Sequence, residues 1–368
     1  MKVAFDHQIF GWQEYGGISR YVYELANGLS EIGVDVAAFS PLYVNRYLVD
    51  TPPNFKLVGI RAPWFHRSGR IYRALNSLLV PPALLRFHPD IVHETYYSSV
   101  RLAPKYAKVV LTVHDMIHER FPGCYSKFDP TSREKALAVK RADHVICVSE
   151  NTRQDLVELI GVAYEKTTVI HHGFAIPSLE TTGYETSSLH RRPFLLYVGN
   201  RDGYKNFTGF IEAYAASPQL RKNFDVVCFG GGPFADREIE FFVRLGIDPI
   251  RVCQVAGNDT LLAGLYRSAS VFVYPSLYEG FGIPPLEAMS FGCPVVCSNV
   301  SAIPEVVGDA AKMFYPLDSG AIAAAIEQVV GDQSVRSVLI SRGLARVKNF
   351  SWHRCALQTA EVYQRLLA

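Results

Sequence analysis

The 368-residue chain predicts an α/β protein of two doubly wound, parallel-sheet domains, and three features of the sequence carry that expectation. Short runs rich in β-branched and aromatic residues alternate with helix-length stretches from end to end, which is how strands joined by crossover helices read. The alternation pauses once, over residues 174–193, and then restarts. The length also exceeds what one hydrophobic core usually organises.

Taken in order, residues 2–6, 34–39, 56–60, 91–93, 109–114, 145–148 and 168–171 read as strands of the first half, with helix patterns such as 18–29 and 152–160 between them. The pause holds Pro177, Ser178, Thr181, Thr182, Gly183, Ser187, Ser188 and Pro193 with little apolar periodicity, which is linker composition. Beyond it, residues 194–198, 226–229, 252–255, 271–274, 294–297 and 312–315 read as a second set of strands, and the closing segment from Ser351 and Trp352 to Leu367 reads as a helix. The expected domains are 1–180 and 190–350. Two such domains would present the carboxyl ends of their strands to a central cleft, where open α/β sheets bind ligands.

Composition narrows the function. Apolar residues make up 49% of the chain, ample for large cores, and a formal charge of +2 gives no reason to expect a nucleic-acid partner. Seven cysteines without Cys-x-x-Cys spacing, and no signal-peptide pattern before Lys2-Val-Ala-Phe5, lead us to expect a reduced, cytoplasmic setting. No run of about eighteen apolar residues predicts a membrane span. From Thr51 to Pro89 there is no acidic residue, while Lys56, Arg61, Arg67, Arg70, Arg73 and Arg86 are interspersed with Trp64, Phe65, Tyr72, Leu75, Leu78, Leu79 and Phe87. Two readings stand side by side: a basic-aromatic surface for the anionic inner face of the cytoplasmic membrane, or an ordinary helix packing its leucines on the sheet with its arginines solvated.

The chemistry concentrates in Glu279-Gly-Phe-Gly-Ile-Pro-Pro-Leu-Glu287, which joins the strand 271–274 to a helix start. Glycine lets backbone approach a ligand closely, and a helix N-terminus favours an anion. Pro284 and Pro285 supply no N–H, so Phe281, Gly282, Ile283 and Leu286 are the candidate donors, and Glu279 and Glu287 would flank a diphosphate from opposite ends. Taken alone, the two glutamates are equally an ordinary loop residue and a dipole-favouring first-turn residue. Arg201 and Lys205 follow strand 194–198 and Gly199; they could neutralise charge on a departing diphosphate or be plain solvated cations. Gly16 and Gly17 open a helix after the first strand, a weak signal that a simple turn also explains. His114, ending strand 109–114, is a core histidine or a metal ligand with His118, although a third ligand is missing. Gly230-Gly231-Gly232, Gly257, Asp115, Ser149, Glu150, His172 and Gly173 sit at strand ends and are weaker candidates.

The Glu279–Met289 string closely resembles the signature of retaining glycosyltransferases of family 4, which have the GT-B fold of two Rossmann-like domains. That resemblance implies that Glu279 contacts the donor sugar, Glu287 the ribose, and Arg201 and Lys205 the phosphates. It also implies that Gly16, Gly17, Gly199 and Gly257 line the donor and that His114 contacts the donor sugar on the acceptor side. The resemblance further implies that the first domain, 1–180, binds the acceptor and the second, 190–350, the nucleotide-sugar donor, and the closing helix, 351–368, is expected to pack back on the first domain. With no Asp-x-Asp anywhere, a metal-bridged diphosphate is not expected, nor is a cofactor. The Tyr197–Asn206 and His114–Pro122 strings look like bacterial O-antigen mannosyl- and rhamnosyltransferases, so the expected donor is a GDP-sugar before a UDP-sugar. The expected acceptor is a saccharide or lipid-linked oligosaccharide of a surface polysaccharide. A nucleotide-sugar epimerase or hydrolase, and a non-catalytic sugar-nucleotide binder, are the alternatives.

Overall fold

A computed structural model describes residues 1–65, 68–174, 192–201 and 203–368. Nearly all of the predicted linker, and Arg67 of the basic stretch, lie outside these residues. The chain divides into two compact units: Met1–Gly173 together with Phe350–Ala368, and Phe174–Asn349.

Unit 1 is built on seven strands, β1 (Lys2–Phe5), β2 (Asp35–Tyr43), β3 (Phe55–Arg61), β4 (Ile91–Glu94), β5 (Lys108–Val113), β6 (His144–Cys147) and β7 (Thr167–Val169), in the order β3-β2-β1-β4-β5-β6-β7 and all parallel. Unit 2 repeats the plan with β8 (Phe194–Val198), β9 (Asp225–Phe229), β10 (Val252–Val255), β11 (Val271–Tyr274), β12 (Val295–Ser298) and β13 (Lys312–Phe314), in the order β10-β9-β8-β11-β12-β13. In each unit the winding reverses beside the first strand, between β1 and β4 and between β8 and β11. Loops leaving those strands at their carboxyl ends are where such a sheet offers a ligand site.

Each predicted strand is present, and the largest difference is in β2. It continues past Pro41 to Tyr43 through a register shift between Phe39 and Leu42, because a bulge tolerates a proline that a regular ladder would not. Buried Asn76 mends the ladder there: its side chain accepts from Leu42 N at 2.8 Å and donates to Leu42 O at 2.9 Å. Asn76 belongs to the helix Ser68–Phe87, which buries Ser68, Tyr72, Asn76, Val80 and Leu84. Leu84 lies with the buried face that packs toward β2, as the second reading of the basic stretch expects, but the other leucines do not. Leu75, Leu78, Leu79 and Leu85 are exposed, Leu78 at 75%, as are Trp64 and Phe65 before the helix.

The helix Trp352–Leu367 is part of the unit 1 core, where Cys355, Ala356, Val362 and Tyr363 join Val3, Phe5, Leu25 and Val110. Two glycines admit it: a Cβ on Gly28 would lie 3.0 Å from Ala356 Cβ, and one on Gly173 would lie 2.5 Å from Trp352 Cα. A buried polar chain fastens it. Tyr363 Oη meets His93 Nδ1, His93 Nε2 meets Thr112 Oγ1 at 2.9 Å, and Thr112 Oγ1 meets Tyr21 Oη at 3.1 Å. Removing one member strands a buried imidazole nitrogen, which costs about 1–3 kcal/mol. Tyr363→Phe should therefore lower the stability of unit 1 by roughly that amount. The three tryptophans, Trp12, Trp64 and Trp352, all lie in unit 1, so tryptophan fluorescence during urea unfolding reads this unit.

Candidate active site

In unit 2 the site is assembled from the loops that follow β8 and β11, the neighbours at the winding reversal. Lys205 ends the short 3-10 turn Gly203–Lys205 and Glu279 ends the loop after Tyr274. Lys205 Nζ donates to Glu279 Oε1 at 2.7 Å, with the lysine and glutamate side chains only 19% and 9% exposed. The buried Tyr274 hydroxyl also hydrogen-bonds to Glu279, and burial followed by that carboxylate raises its pKa well above the ordinary phenol value. The two loops are stitched by backbone as well: Leu277 N donates to Tyr204 O at 2.7 Å. Asn206 Nδ2 donates to Pro275 O at 3.1 Å and to Pro316 O at 2.8 Å.

The glycine-led helix start is formed as expected. Gly282 is the N-cap of the helix Ile283–Ser290, with φ 107°, a conformation that penalises any side chain. With Pro284 and Pro285 in the first turn, the helix start can offer the amides of Gly282 and Ile283, whereas Leu286, a candidate donor from the sequence, stands where its N–H closes the first intrahelical bond onto the N-cap carbonyl. Phe281 is buried. Glu287 accepts from Tyr266 Oη at 3.2 Å, a tyrosine whose own pKa is driven up by burial and then by this carboxylate. Gly199, at φ 130°, turns the chain out of β8. Gly257 has a different reason: a Cβ there would lie 2.5 Å from Leu261 Cδ2.

Arg201 departs from the expectation of an uncommitted cation. Its Nε donates to Glu238 Oε1 at 2.6 Å and its Nη2 to Glu238 Oε2 at 3.2 Å, while Nη1 reaches Gly230 O and Nη2 reaches Pro233 O, each at 3.1 Å. Four of its five N–H bonds are used, two on the Glu238 carboxylate and two on carbonyls of the triple-glycine loop. The spacing to Lys205 was legible in the sequence; the partner Glu238, on the next crossover helix, was not. Asn206 and Tyr274 were also missed. Asn206 has φ 52° beside Lys205, and an asparagine before a helix reads as an ordinary cap.

In unit 1, Gly16 caps the helix Gly17–Glu31 in an extended conformation; an added Cβ would lie 2.3 Å from Gln13 Oε1, which accepts from Ser19 N, so a side chain there would displace Gln13. Gly17 faces open space. Of the weaker candidates, Ser149 caps the helix Glu150–Ile160 through Thr152 N, Glu150 pairs with Arg153, and Asp115 accepts from Ile117 N at 3.0 Å. His118 stacks on Tyr125. Among the described residues no group of three or more His, Cys, Asp or Glu could hold a metal ion. His114 stacks on His172 at 5.6 Å and meets the edge of Tyr21 at 4.9 Å. Burial, then the nearby His93 and Lys135, lower its pKa to about 3, so at neutral pH it is an uncharged hydrogen-bonding group.

With this geometry in view, two family matches divide the chain: residues 15–176 match "Glycosyltransferase Family 4" and residues 185–346 match "Glycosyl transferases group 1". The O-antigen chain mannosyltransferase B of Escherichia coli is 32% identical over 307 residues, covering 80% of this chain and 79% of that protein. The serotype-specific mannosyltransferase WbdA of the same organism is 28% identical over 77% of this chain, which spans only 38% of it. In solved structures, sucrose-phosphate synthase from Thermosynechococcus elongatus aligns with a TM-score of 0.79 at 21% identity, over 100% of this chain and 99% of its own. The chain belongs to the family 4 glycosyltransferases and has their GT-B fold.

The state of His114 gives a test. Its folded pKa, about 3, lies below the unfolded value near 6.5, so between those pH values only the unfolded chain binds the proton and stability falls as pH drops through the window. His114→Gln removes one such proton, and the slope of stability between pH 7 and 5 should become shallower by up to about 1.4 kcal/mol per pH unit. Urea unfolding followed by tryptophan fluorescence measures it.

Proposed function

We propose that this glycosyltransferase is a retaining, metal-independent hexosyltransferase that moves mannose or a related sugar from a GDP-sugar to a saccharide or lipid-linked acceptor of a surface polysaccharide. The observation that carries the reading is the Lys205–Glu279 pair at the reversal of the unit 2 sheet, next to a glycine-led helix start. The mannosyltransferase names of the relatives support the choice of sugar, and GDP is preferred to UDP for the same reason.

The chemistry follows from charge. As the anomeric bond to the diphosphate breaks, positive charge grows on the sugar and negative charge on the leaving phosphate, and fixed donors aimed at the latter lower the barrier. Lys205, the remaining Nη1 hydrogen of Arg201 and the Gly282–Ile283 amides fill that role. Glu279, held by Lys205 and Tyr274, orients the sugar through its hydroxyls, and Glu287 accepts from the ribose. A neutral His114 serves the donor sugar as a hydrogen-bond partner and not as an acid. The leaving phosphate takes the proton of the attacking hydroxyl on the same face, which retains the anomeric configuration without a glycosidase-type carboxylate pair.

Thermal shift against GDP-, UDP-, ADP- and dTDP-sugars should give the largest stabilisation with GDP-mannose; stabilisation by none of them contradicts the donor assignment. Lys205→Ala should lower kcat about 100-fold or more with an unchanged circular dichroism spectrum. Trapping the product separates transfer from epimerisation or hydrolysis, and its anomeric proton reports the stereochemistry.

A second reading concerns the membrane, and the exposed leucines of helix Ser68–Phe87 favour it. Among the described residues no helix is long and apolar enough to cross a membrane. Leu75, Leu78 and Leu79, beside exposed Trp64, Phe65, Arg70 and Arg86, suit shallow insertion into an anionic leaflet. Leu78→Ser with Leu79→Ser should abolish co-flotation with phosphatidylglycerol vesicles while leaving kcat on a soluble acceptor unchanged; undiminished flotation removes this reading.

A further inference from the structure

The turn that carries His114 is held from behind by a lysine out of reach of any ligand. Lys135 lies on the buried face of the helix Thr131–Arg141 with Ala138 and Val139, and all three are 0% exposed. Lysine is almost never buried to this extent unless its charge is paired. Its Nζ donates to Asp115 O at 2.9 Å and to Glu119 Oε2 at 2.7 Å. Met116 Sδ lies 4.0 Å from it and the centroid of the Tyr97 ring 5.2 Å, within cation–π range.

These partners converge on one short piece of chain. His114 follows β5, Asp115 Oδ1 accepts from Ile117 N at 3.0 Å, and the helix Ile117–Arg120 comes next. Arg120, at the far end, pairs with Asp155 and Glu158 of the helix Glu150–Ile160. The segment is therefore fixed twice, by Lys135 beside His114 and by Arg120 where it ends. Tyr97 adds a further link, since its hydroxyl accepts from His114 N at 3.4 Å while its ring meets the ammonium.

Packing alone does not account for a charge here. Desolvation consumes much of what a buried ion pair returns, and an apolar side chain of similar volume would fill the space without that cost. An apolar chain could not hold the Asp115 carbonyl, which lies one residue from the imidazole. The ring of His114 rests against His172 and the edge of Tyr21, so the course of its backbone decides where it stands between them. The ammonium acts on the ring as well: after burial and His93, Lys135 is the next cause that keeps His114 uncharged.

We propose that Lys135 is a positioning residue for glycosyl transfer: by binding the Asp115 carbonyl and the Glu119 carboxylate it sets the turn after β5, so that the His114 imidazole meets the donor sugar in one orientation. This role rests on the reading of His114 as a donor-sugar contact given above. Being fully buried, Lys135 touches no substrate, and its effect on the reaction passes through His114.

A double-mutant cycle separates that effect from a contribution to folding. With the sugar-nucleotide that gives the largest thermal shift as donor, Lys135→Met, close in length but without charge, should raise the donor KM and lower kcat/KM about tenfold. In the His114→Ala background the same change should alter kcat/KM by less than about twofold. Glu119→Gln keeps an acceptor for Nζ and disturbs folding less; it should lose about threefold in the first background and nothing measurable in the second. A lysine needed only for folding would lower kcat equally in both backgrounds at an unchanged donor KM. That result, or full activity of Lys135→Met, overturns the proposal. Should Lys135→Met not fold, Glu119→Gln decides: no loss, or equal loss in both backgrounds, overturns it. Wild-type kcat/KM in His114→Ala refutes the role given to His114 and this one with it. An impaired His114→Ala enzyme beside an unimpaired Lys135→Met refutes the positioning role alone.

Discussion

The ion pair between Lys205 and Glu279 is the constraint around which unit 2 is arranged. Its members are 74 residues apart in sequence, and they meet because the sheet winds outward in both directions from β8, which leaves the β8 and β11 loops as neighbours. A mostly buried pair of this kind is poor evidence for stability, since taking both charges out of water consumes much of what their attraction returns. The surrounding bonds make sense of it differently. Tyr274 and Lys205 fix the carboxylate, the Leu277–Tyr204 and Asn206–Pro275 bonds fix the loops, and a cation and an acceptor are held at hydrogen-bond distance from each other. A ligand carrying both a phosphate and sugar hydroxyls is the kind that uses such a juxtaposition.

Arg201 and Lys205 illustrate why similar residues in one loop serve different ends. The guanidinium of Arg201 is planar and forked, so it can satisfy one carboxylate with two bonds and two carbonyls with the others, and it becomes the bracket of the Gly230–Pro233 turn. Lysine is a point charge with rotatable donors. Lys205 keeps donor capacity beyond Glu279, and cation–π contact with Tyr204 and Tyr274, at 5.2 and 5.7 Å, holds the charge near the strand ends. Donor capacity for a further ligand therefore remains more on Lys205 than on the arginine.

The architecture was legible because parallel strands buried on both faces read as continuous apolar runs, and Val271-Phe-Val-Tyr274 or Phe194–Val198 admits little else. β2 escaped past residue 39 because its continuation depends on Asn76, thirty-four residues away, accepting and donating where the bulge had broken the ladder. Site residues divided along the same line. Glu279, Gly282 and Glu287 lie in one contiguous string whose local conformation carries the chemistry. Glu238 and Tyr274 matter only through partners brought in by the fold, and the commitment of Arg201 to Glu238 could not be read from either residue alone.

Lys135 was invisible for a related reason. It follows Glu134 in a helix rich in charged residues, where a lysine reads as solvated, and nothing local distinguishes a buried ammonium from an exposed one. The same reversal of winding that places a paired cation and carboxylate in unit 2 places, in unit 1, the carboxylate of Asp6, spent on backbone and side-chain donors. Electrostatic stabilisation belongs where negative charge develops.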